Sequence, residues 1–164
     1  MSATPNCSGG TQGTRGRARP APPTLSAGLL LVTVAVALAL PTRGIDPTPL
    51  RYLLGGGLVG LGIALNLWSD QQLKRARTTV KPHGEPTTLV AGGAFRLTRN
   101  PMYLGMALIL AGAAVALGSL IALACPLLFA VLVERWFIRT EEANAEAAFG
   151  DAYLAYRGRV RRWL

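Results

Sequence analysis

Residues 102–133 read MYLGMALILAGAAVALGSLIALACPLLFAVLV and contain no charged side chain. A helix perpendicular to the membrane crosses the hydrocarbon core of a bilayer with about 20 apolar residues, so this stretch is too long for one crossing. Gly118 and Ser119 interrupt it near the middle, and such a pair is typical of a tight turn. The stretch therefore predicts two membrane-spanning helices, residues 102–117 and 120–138, that form a helical hairpin.

Two stretches upstream, residues 24–40 and 52–68, also lack charged side chains and have the minimum length of a spanning helix. The sequence after the first of them makes a poor signal-peptide cleavage site, so we expect a retained helix. We predict an all-α integral membrane protein with about four spans in a single domain, residues 24–164. Residues 139–164 should form a cytoplasmic segment with a short amphipathic helix, in which Phe149, Tyr153, Tyr156 and Val160 recur at helical spacing.

The basic residues are distributed unevenly along the chain, which carries a net charge of +9. Of the 17 Lys and Arg residues, all except Arg43 and Arg51 lie before the first span, between the second and third, or from Arg135 at the end of the fourth span onward. This positive-inside pattern predicts cytoplasmic termini in a bacterial inner membrane, with membrane lipids as partners, and argues against a nucleic-acid-binding role. Residues 1–23 are rich in Gly, Ser, Thr, Pro and Arg, and we expect a disordered basic tail.

Two polar clusters flank the hairpin and should meet at one membrane face. The first is Arg99-Asn100-Pro101-Met102-Tyr103, and the second is Arg139-Thr140-Glu141-Glu142. Each has a simple structural interpretation, because Asn and Pro are preferred at helix starts and acids in the first turn of a helix are common. Two polar clusters converging at the end of an apolar bundle also suit a bound polar ligand.

These motifs together resemble the isoprenylcysteine carboxyl methyltransferase family and its bacterial relatives, which are small integral-membrane methyltransferases. The similarity covers residues 80–164, including the approach to the hairpin at residues 89–96, the Glu-Glu pair and the Phe-Gly-x-x-Tyr-x-x-Tyr tail at residues 149–156. The best-known form of the family has Arg-His-Pro where this chain has Arg-Asn-Pro, so no role that needs an imidazole carries over to Asn100.

The resemblance implies S-adenosylmethionine as the cofactor and a lipophilic or lipid-linked acceptor, through a carboxylate, thiol or amine. The cofactor-binding residues that it implies are Phe95, Asn100, Pro101, Met102, Tyr103 and Glu142, and the implied catalytic residues are Arg139 and Glu141. Carboxylates suit this cofactor because its α-ammonium and sulfonium are both cationic. No Cys/His cluster resembles a metal site, and we expect no metal and no catalytic role for His83, the single histidine.

Two other functions remain compatible with the sequence. Sterol reductases carry a similar Arg-His-Pro-x-Tyr motif and bind a nicotinamide cofactor, although they are much longer than this chain. A non-catalytic four-span membrane subunit would place charges along a central path, but the predicted spans contain no Asp, Glu, Lys, Arg or His before Glu134.

The basic asymmetry makes the topology testable. Reporter fusions after Asp46 and after Gly118 should report the outside of the membrane, and fusions after Glu85 and at the C-terminus should report the cytoplasm. An external reporter at Glu85 would contradict the arrangement.

Overall fold

A computed structural model describes residues 21–40, 48–76 and 88–164. Residues 1–20 of the predicted basic tail, part of the first loop, and the central loop residues 77–87 with His83 lie outside the described residues. All regular elements within the described ranges are helical, as the sequence predicts.

Six α-helices follow one another along the described chain. They are α1 (Pro22–Ala39), α2 (Pro49–Arg75), α3 (Pro101–Leu117), α4 (Ala124–Val133), α5 (Arg139–Phe149) and α6 (Asp151–Arg159). Short 3₁₀ turns at Gly93–Arg96 and Ile121–Leu123 precede α3 and α4. Proline occupies the first turn of α1, α2 and α3, where its missing N–H leaves no intrahelical bond unmade.

Three helical stretches in the described residues are long and apolar enough to cross a membrane: α1, α2 and the run Ile121–Phe149. Helix α3, of 17 residues, is a shorter apolar helix. Large apolar side chains face outward from α1 and α2, including Leu31, Leu38 and Leu53 with more than two thirds of their surface exposed. Such surfaces are stable in lipid and aggregate in water, so the described part of the chain confirms an all-α membrane protein.

The predicted hairpin is present. Helix α3 ends at Gly118, whose φ of 71° lies in the left-handed region that glycine adopts without strain. The Gly118 and Ser119 N–H groups donate to carbonyls of the last turn of α3, and the Ser119 hydroxyl accepts from the Ala122 N–H at 3.3 Å. These bonds satisfy polar groups that would otherwise be buried without partners at the turn.

The second arm of the hairpin continues further than the predicted span of residues 120–138. A π-helical turn, Glu134–Ile138, joins α4 to α5 without a break, so one helical run extends to Phe149. Single π turns inside α-helices are frequent at functional sites, because the extra residue re-aims the side chains that follow. Here the side chains that follow are Glu141 and Glu142, one turn beyond buried Ile138.

The core of the bundle lies between α1, α3 and the α4–α5 run. Its buried members are Leu29, Tyr103, Leu110, Phe129, Val133, Phe137 and Ile138, and Trp136 and Trp163 pack against them. Trp163 belongs to the C-terminal segment after α6, so the last residues of the chain are part of the packed bundle.

Helix α2 lies unusually close to α3, and small residues form the contact. A Cβ added to Gly62 would lie 2.5 Å from the Gly105 carbonyl oxygen, and one added to Gly55 would lie 2.8 Å from the Gly112 carbonyl oxygen. Both distances are shorter than real Cβ contacts, so the two backbones touch directly. In lipid, such close contact supplies much of the dispersion attraction that holds helices together.

The glycine contact predicts a position-specific effect of alanine. Gly62→Ala should lower the thermal stability of the detergent-solubilised protein by about 1–3 kcal/mol, because the added methyl group forces α2 away from α3. Gly60→Ala is the matched control, since a Cβ at Gly60 meets nothing within 4 Å. Equal melting temperatures for the two variants would show that α2 and α3 are not in direct backbone contact.

Candidate functional site

A pocket opens at the end of the bundle where α3 begins. It has a cavity volume of about 170 Å³ and is partly open to solvent. Its apolar wall includes Leu73 from the end of α2, Leu89, Val90 and Phe149. Its polar wall includes Arg99, Asn100, Glu141 and Glu142.

The segment that leads into α3 is fixed against the end of α2. Gly93 has φ of 55° and lies directly against the Gln72 side chain, where no Cβ would fit. The Gln72 Oε1 atom accepts from the Ala94 N–H at 3.2 Å. The 3₁₀ turn that follows carries Phe95 to the pocket wall.

Asn100 occupies the N-cap position of α3, but its side chain makes no capping hydrogen bond. Its Nδ2 donates instead to the Arg162 carbonyl oxygen at 3.1 Å, and its backbone N–H donates to the Thr98 hydroxyl at 3.2 Å. The expectation that the Asn100 side chain caps α3 is therefore wrong. The Asn100 side-chain amide thus bonds to a residue far along the chain, and not to the first turn of α3.

Tyr103 and Glu141 connect the two arms of the hairpin. The Tyr103 ring is buried in the core, and its hydroxyl donates to Glu141 Oε1 at 2.7 Å. Hydrogen bonds to ionised acceptors are roughly twice as strong as neutral ones. This bond orients the Glu141 carboxylate at the pocket wall.

Glu142 is held between two arginines. Arg162 makes a two-point contact with its carboxylate, at 2.6 Å through Nη2 and 3.1 Å through Nε, and Arg99 Nη2 lies 3.1 Å from the same carboxylate. The Glu142 side chain is 14% exposed. The carboxylate contact also raises the pKa of Arg162 above its ordinary value. Two guanidinium groups thus surround this carboxylate.

The Arg99 guanidinium has N–H groups that could donate further hydrogen bonds. Its side chain is 10% exposed, and its Nε and Nη1 atoms are buried without a hydrogen-bond partner among the described residues. Arg99 also lines the pocket. Leaving these N–H groups without an acceptor is costly even though Nη2 pairs with Glu142, so this site favours an anionic ligand group.

Glu134 forms a second, more exposed ion cluster beside the π turn. Its Oε1 atom accepts from Arg139 at 3.3 Å and from Arg162 at 3.1 Å. Arg139, with a side chain 64% exposed, lies in this cluster and outside the pocket lining. Arg162 thus bridges the carboxylates of Glu134 and Glu142.

Helix α6 forms the remaining pocket wall. Tyr153 and Tyr156 are both buried, and their rings meet edge to face with centroids 6.2 Å apart. The Tyr156 hydroxyl donates to the Phe95 carbonyl oxygen at 2.7 Å. Burial raises the pKa of Tyr156 to about 12, and burial together with the Glu142 charge raises the pKa of Tyr153.

The structure brings together part of the site that the sequence predicts. Phe95, Asn100, Glu141 and Glu142 line the pocket, and Tyr103 reaches it through Glu141. The other three residues, Pro101, Met102 and Arg139, do not line the pocket in the described part of the chain.

Two arginines at the site, Arg99 and Arg162, were not among the site residues predicted from the sequence. Arg99 directly precedes Asn100 in the Arg-Asn-Pro-Met-Tyr motif, so its place in the sequence could have identified it as a site residue. Arg162 is one of the basic residues after the predicted spans, which we assigned only to the positive-inside pattern. The structure turns Arg162 inward to Glu142 instead, because the residues after α6 fold back onto the start of α3.

Comparison with known proteins supports the membrane methyltransferase class that the sequence predicts. A model of the phospholipid methyltransferase family matches residues 50–152, from the start of α2 into α6. An uncharacterized protein of Haemophilus influenzae is 38% identical over 63 residues, which are 38% of this chain and 100% of that protein. No solved structure matches the chain.

The family match covers more than half of the chain, so the chain belongs to the phospholipid methyltransferase family. This family contains methyltransferases similar to isoprenylcysteine carboxyl methyltransferase, and the predicted resemblance is thereby confirmed. The protein is a membrane methyltransferase.

The Tyr156 hydrogen bond predicts a pH dependence of stability. Because the pKa of Tyr156 is about 12 in the folded protein and about 10 in an unfolded chain, its contribution is complete below pH 10 and lost as the pH rises through 12. The melting temperature should therefore fall more steeply between these pH values for the wild type than for Tyr156→Phe. Tyr52→Phe, at an exposed position on α2, controls for the loss of a tyrosine. Parallel curves for the wild type and Tyr156→Phe would contradict the assignment.

Proposed function

We propose that the protein transfers a methyl group from S-adenosylmethionine to a lipophilic acceptor that reaches the site through the bilayer. The observation that carries this proposal is the largely buried Glu142 carboxylate, which lines the pocket beside Arg99, whose Nε and Nη1 have no hydrogen-bond partner among the described residues. A carboxylate and a guanidinium side by side fit the ammonium and the carboxylate of an α-amino acid group.

The residues at the pocket fit the cofactor in three respects. Glu142 would accept from the α-ammonium, Arg99 would donate to the carboxylate, and Phe95 and Tyr153 would offer aromatic surface to the adenine; all four line the pocket. The cofactor supplies a methyl group on a sulfonium that is already a good leaving group. The protein then has to hold the acceptor in line with the methyl group and exclude water.

Glu141 is the pocket carboxylate suited to receive a proton. Glu142 lies between two arginines, whereas the Glu141 carboxylate lines the pocket and accepts a hydrogen bond from the Tyr103 hydroxyl. A thiol or amine acceptor would release its proton to the Glu141 carboxylate, and a carboxylate acceptor would need no base. Arg139 has no part in this mechanism, because its guanidinium lies at Glu134 outside the pocket.

The acceptor is lipophilic or lipid-linked. The apolar pocket wall begins at Leu73 on the last turns of α2, and that helix exposes Leu61, Leu67 and Trp68 along its lipid-facing length. A ligand sliding along this surface stays in an apolar environment until it meets the polar wall.

The site faces the cytoplasm of a bacterial inner membrane, with both termini on the same side. Basic residues surround the pocket end of the bundle, among them Lys74 and Arg75 in the last turn of α2 and Arg157 and Arg159 in α6. This concentration suits the positive-inside rule and contact with anionic lipid headgroups.

Binding titrations test the proposal. Calorimetry on the purified protein in detergent should show binding of S-adenosylmethionine, and Glu142→Gln should weaken it by about 1.5–3 kcal/mol, roughly 10- to 150-fold. Glu146→Gln is the matched control, since Glu146 lies one turn further along α5 and pairs with Arg157 at the surface. The control should bind as the wild type does.

A parallel titration with NADPH separates the alternatives. Binding of NADPH without S-adenosylmethionine would replace the proposal with a reductase related to sterol reductases. Binding of neither ligand would favour a non-catalytic membrane subunit.

A further inference from the structure

The residues after α6 form a short extended segment, residues 160–164, named here the C-terminal strap. The Arg161 carbonyl oxygen accepts from the Arg99 N–H at 2.9 Å. The Arg162 carbonyl oxygen accepts from the Thr98 hydroxyl at 2.8 Å and from Asn100 Nδ2 at 3.1 Å. These three bonds fix the backbone of the strap beside the start of α3, and so place the Arg162 side chain over Glu142.

The two arginines on Glu142 differ in how tightly the fold holds them. The Arg99 side chain is 10% exposed and lies inside the pocket wall. The Arg162 side chain is 34% exposed and also contacts Glu134, at 3.1 Å. Arg162 can therefore leave Glu142 and keep a carboxylate partner, whereas Arg99 cannot leave without burying an unpaired cation.

Each of the three glutamates at this end of the bundle already has a partner before any ligand arrives. Three arginines, Arg99, Arg139 and Arg162, face three glutamates, Glu134, Glu141 and Glu142, through the ion pairs and the Tyr103 bond described above. Arg162 already contacts both oxygens of Glu142 and Arg99 contacts one of them, so an ammonium can reach this carboxylate only if one guanidinium moves away. Of the two guanidinium groups on Glu142, that of Arg162 can move away, because it is more exposed and also pairs with Glu134.

We propose that Arg162 is a built-in counter-ion that occupies the ammonium position on Glu142 in the free protein and is exchanged for the α-ammonium of an amino-acid-bearing ligand. The inference rests on the proposed function, because it takes S-adenosylmethionine as that ligand. The exchange breaks one ion pair and forms another, and Arg162 remains with Glu134. Arg162 is a positioning residue outside the segment that the family model matches.

The exchange has a consequence for ligand selection. A nucleoside that lacks an ammonium cannot replace Arg162, so it gains nothing at Glu142. A ligand with an ammonium both takes the carboxylate and releases the strap side chain. The pocket therefore discriminates for the charged end of the ligand as well as for its shape.

The experiment compares Arg162→Gln with the wild type in titrations with two ligands. S-adenosylmethionine carries the ammonium, and methylthioadenosine has the same nucleoside without the amino-acid group. Arg162→Gln should bind S-adenosylmethionine about three- to tenfold more tightly, because no cation competes for Glu142, and should bind methylthioadenosine as the wild type does. Arg157→Gln, which removes a surface pair with Glu146, should leave both affinities unchanged.

Three results would overturn the exchange. Weaker binding of S-adenosylmethionine by Arg162→Gln would make Arg162 a fixed part of the site. Equal shifts for both ligands would make its role structural. Unchanged affinity for both would show no competition at Glu142. If Arg162→Gln does not fold, Arg162→Lys serves instead, because lysine cannot form the two-point contact and should give the same ligand-dependent gain.

The wild-type titration separates this inference from the proposed function. Failure of the wild type to bind S-adenosylmethionine removes both. Binding by the wild type without a ligand-dependent gain in the variants removes only the exchange.

Discussion

A carboxylate 14% exposed at the end of an apolar bundle needs cationic partners, and the architecture around Glu142 supplies them from two distant parts of the chain. Arg99 comes from the segment before α3, and Arg162 comes from the strap after α6. The same contacts bring α5, the start of α3 and the C-terminus to one place. Without them the pocket would lose its polar wall, since Glu142 and Arg99 line it directly.

The close contact between α2 and α3 is a second constraint, and it sets the position of the pocket wall. Helix α2 meets α3 through glycines, so their backbones lie close enough to fix the end of α2 beneath the segment before α3. The Gln72 side chain at the end of α2 accepts a hydrogen bond from the Ala94 N–H, and the next residue, Phe95, lines the pocket. The apolar helix contact in the membrane thus determines the geometry of a polar site at its edge.

The sequence predicted the parts of the fold that depend on composition and chain continuity. The uncharged runs marked the membrane helices, and Gly118-Ser119 marked the hairpin turn. The unbroken run from α4 to α5 was not predicted, because the π turn at Glu134–Ile138 depends on how those side chains pack against the bundle. The capping interpretation of Asn100 was wrong, since a cap is inferred from neighbouring residues and the side-chain amide donates to the Arg162 carbonyl oxygen far along the chain.

The sequence by itself determined that two polar clusters meet at one end of an apolar hairpin, because covalent continuity and the turn leave no other arrangement. It also marked Phe95, Asn100, Glu141 and Glu142, which line the pocket. Only the tertiary structure decided which of several chemically identical arginines turns inward. Arg157 pairs at the surface and Arg162 reaches Glu142, because hydrogen bonds to Thr98 and Asn100 anchor the backbone at Arg162. Residue type sets what an arginine can bind, and long-range backbone contacts set which carboxylate it meets.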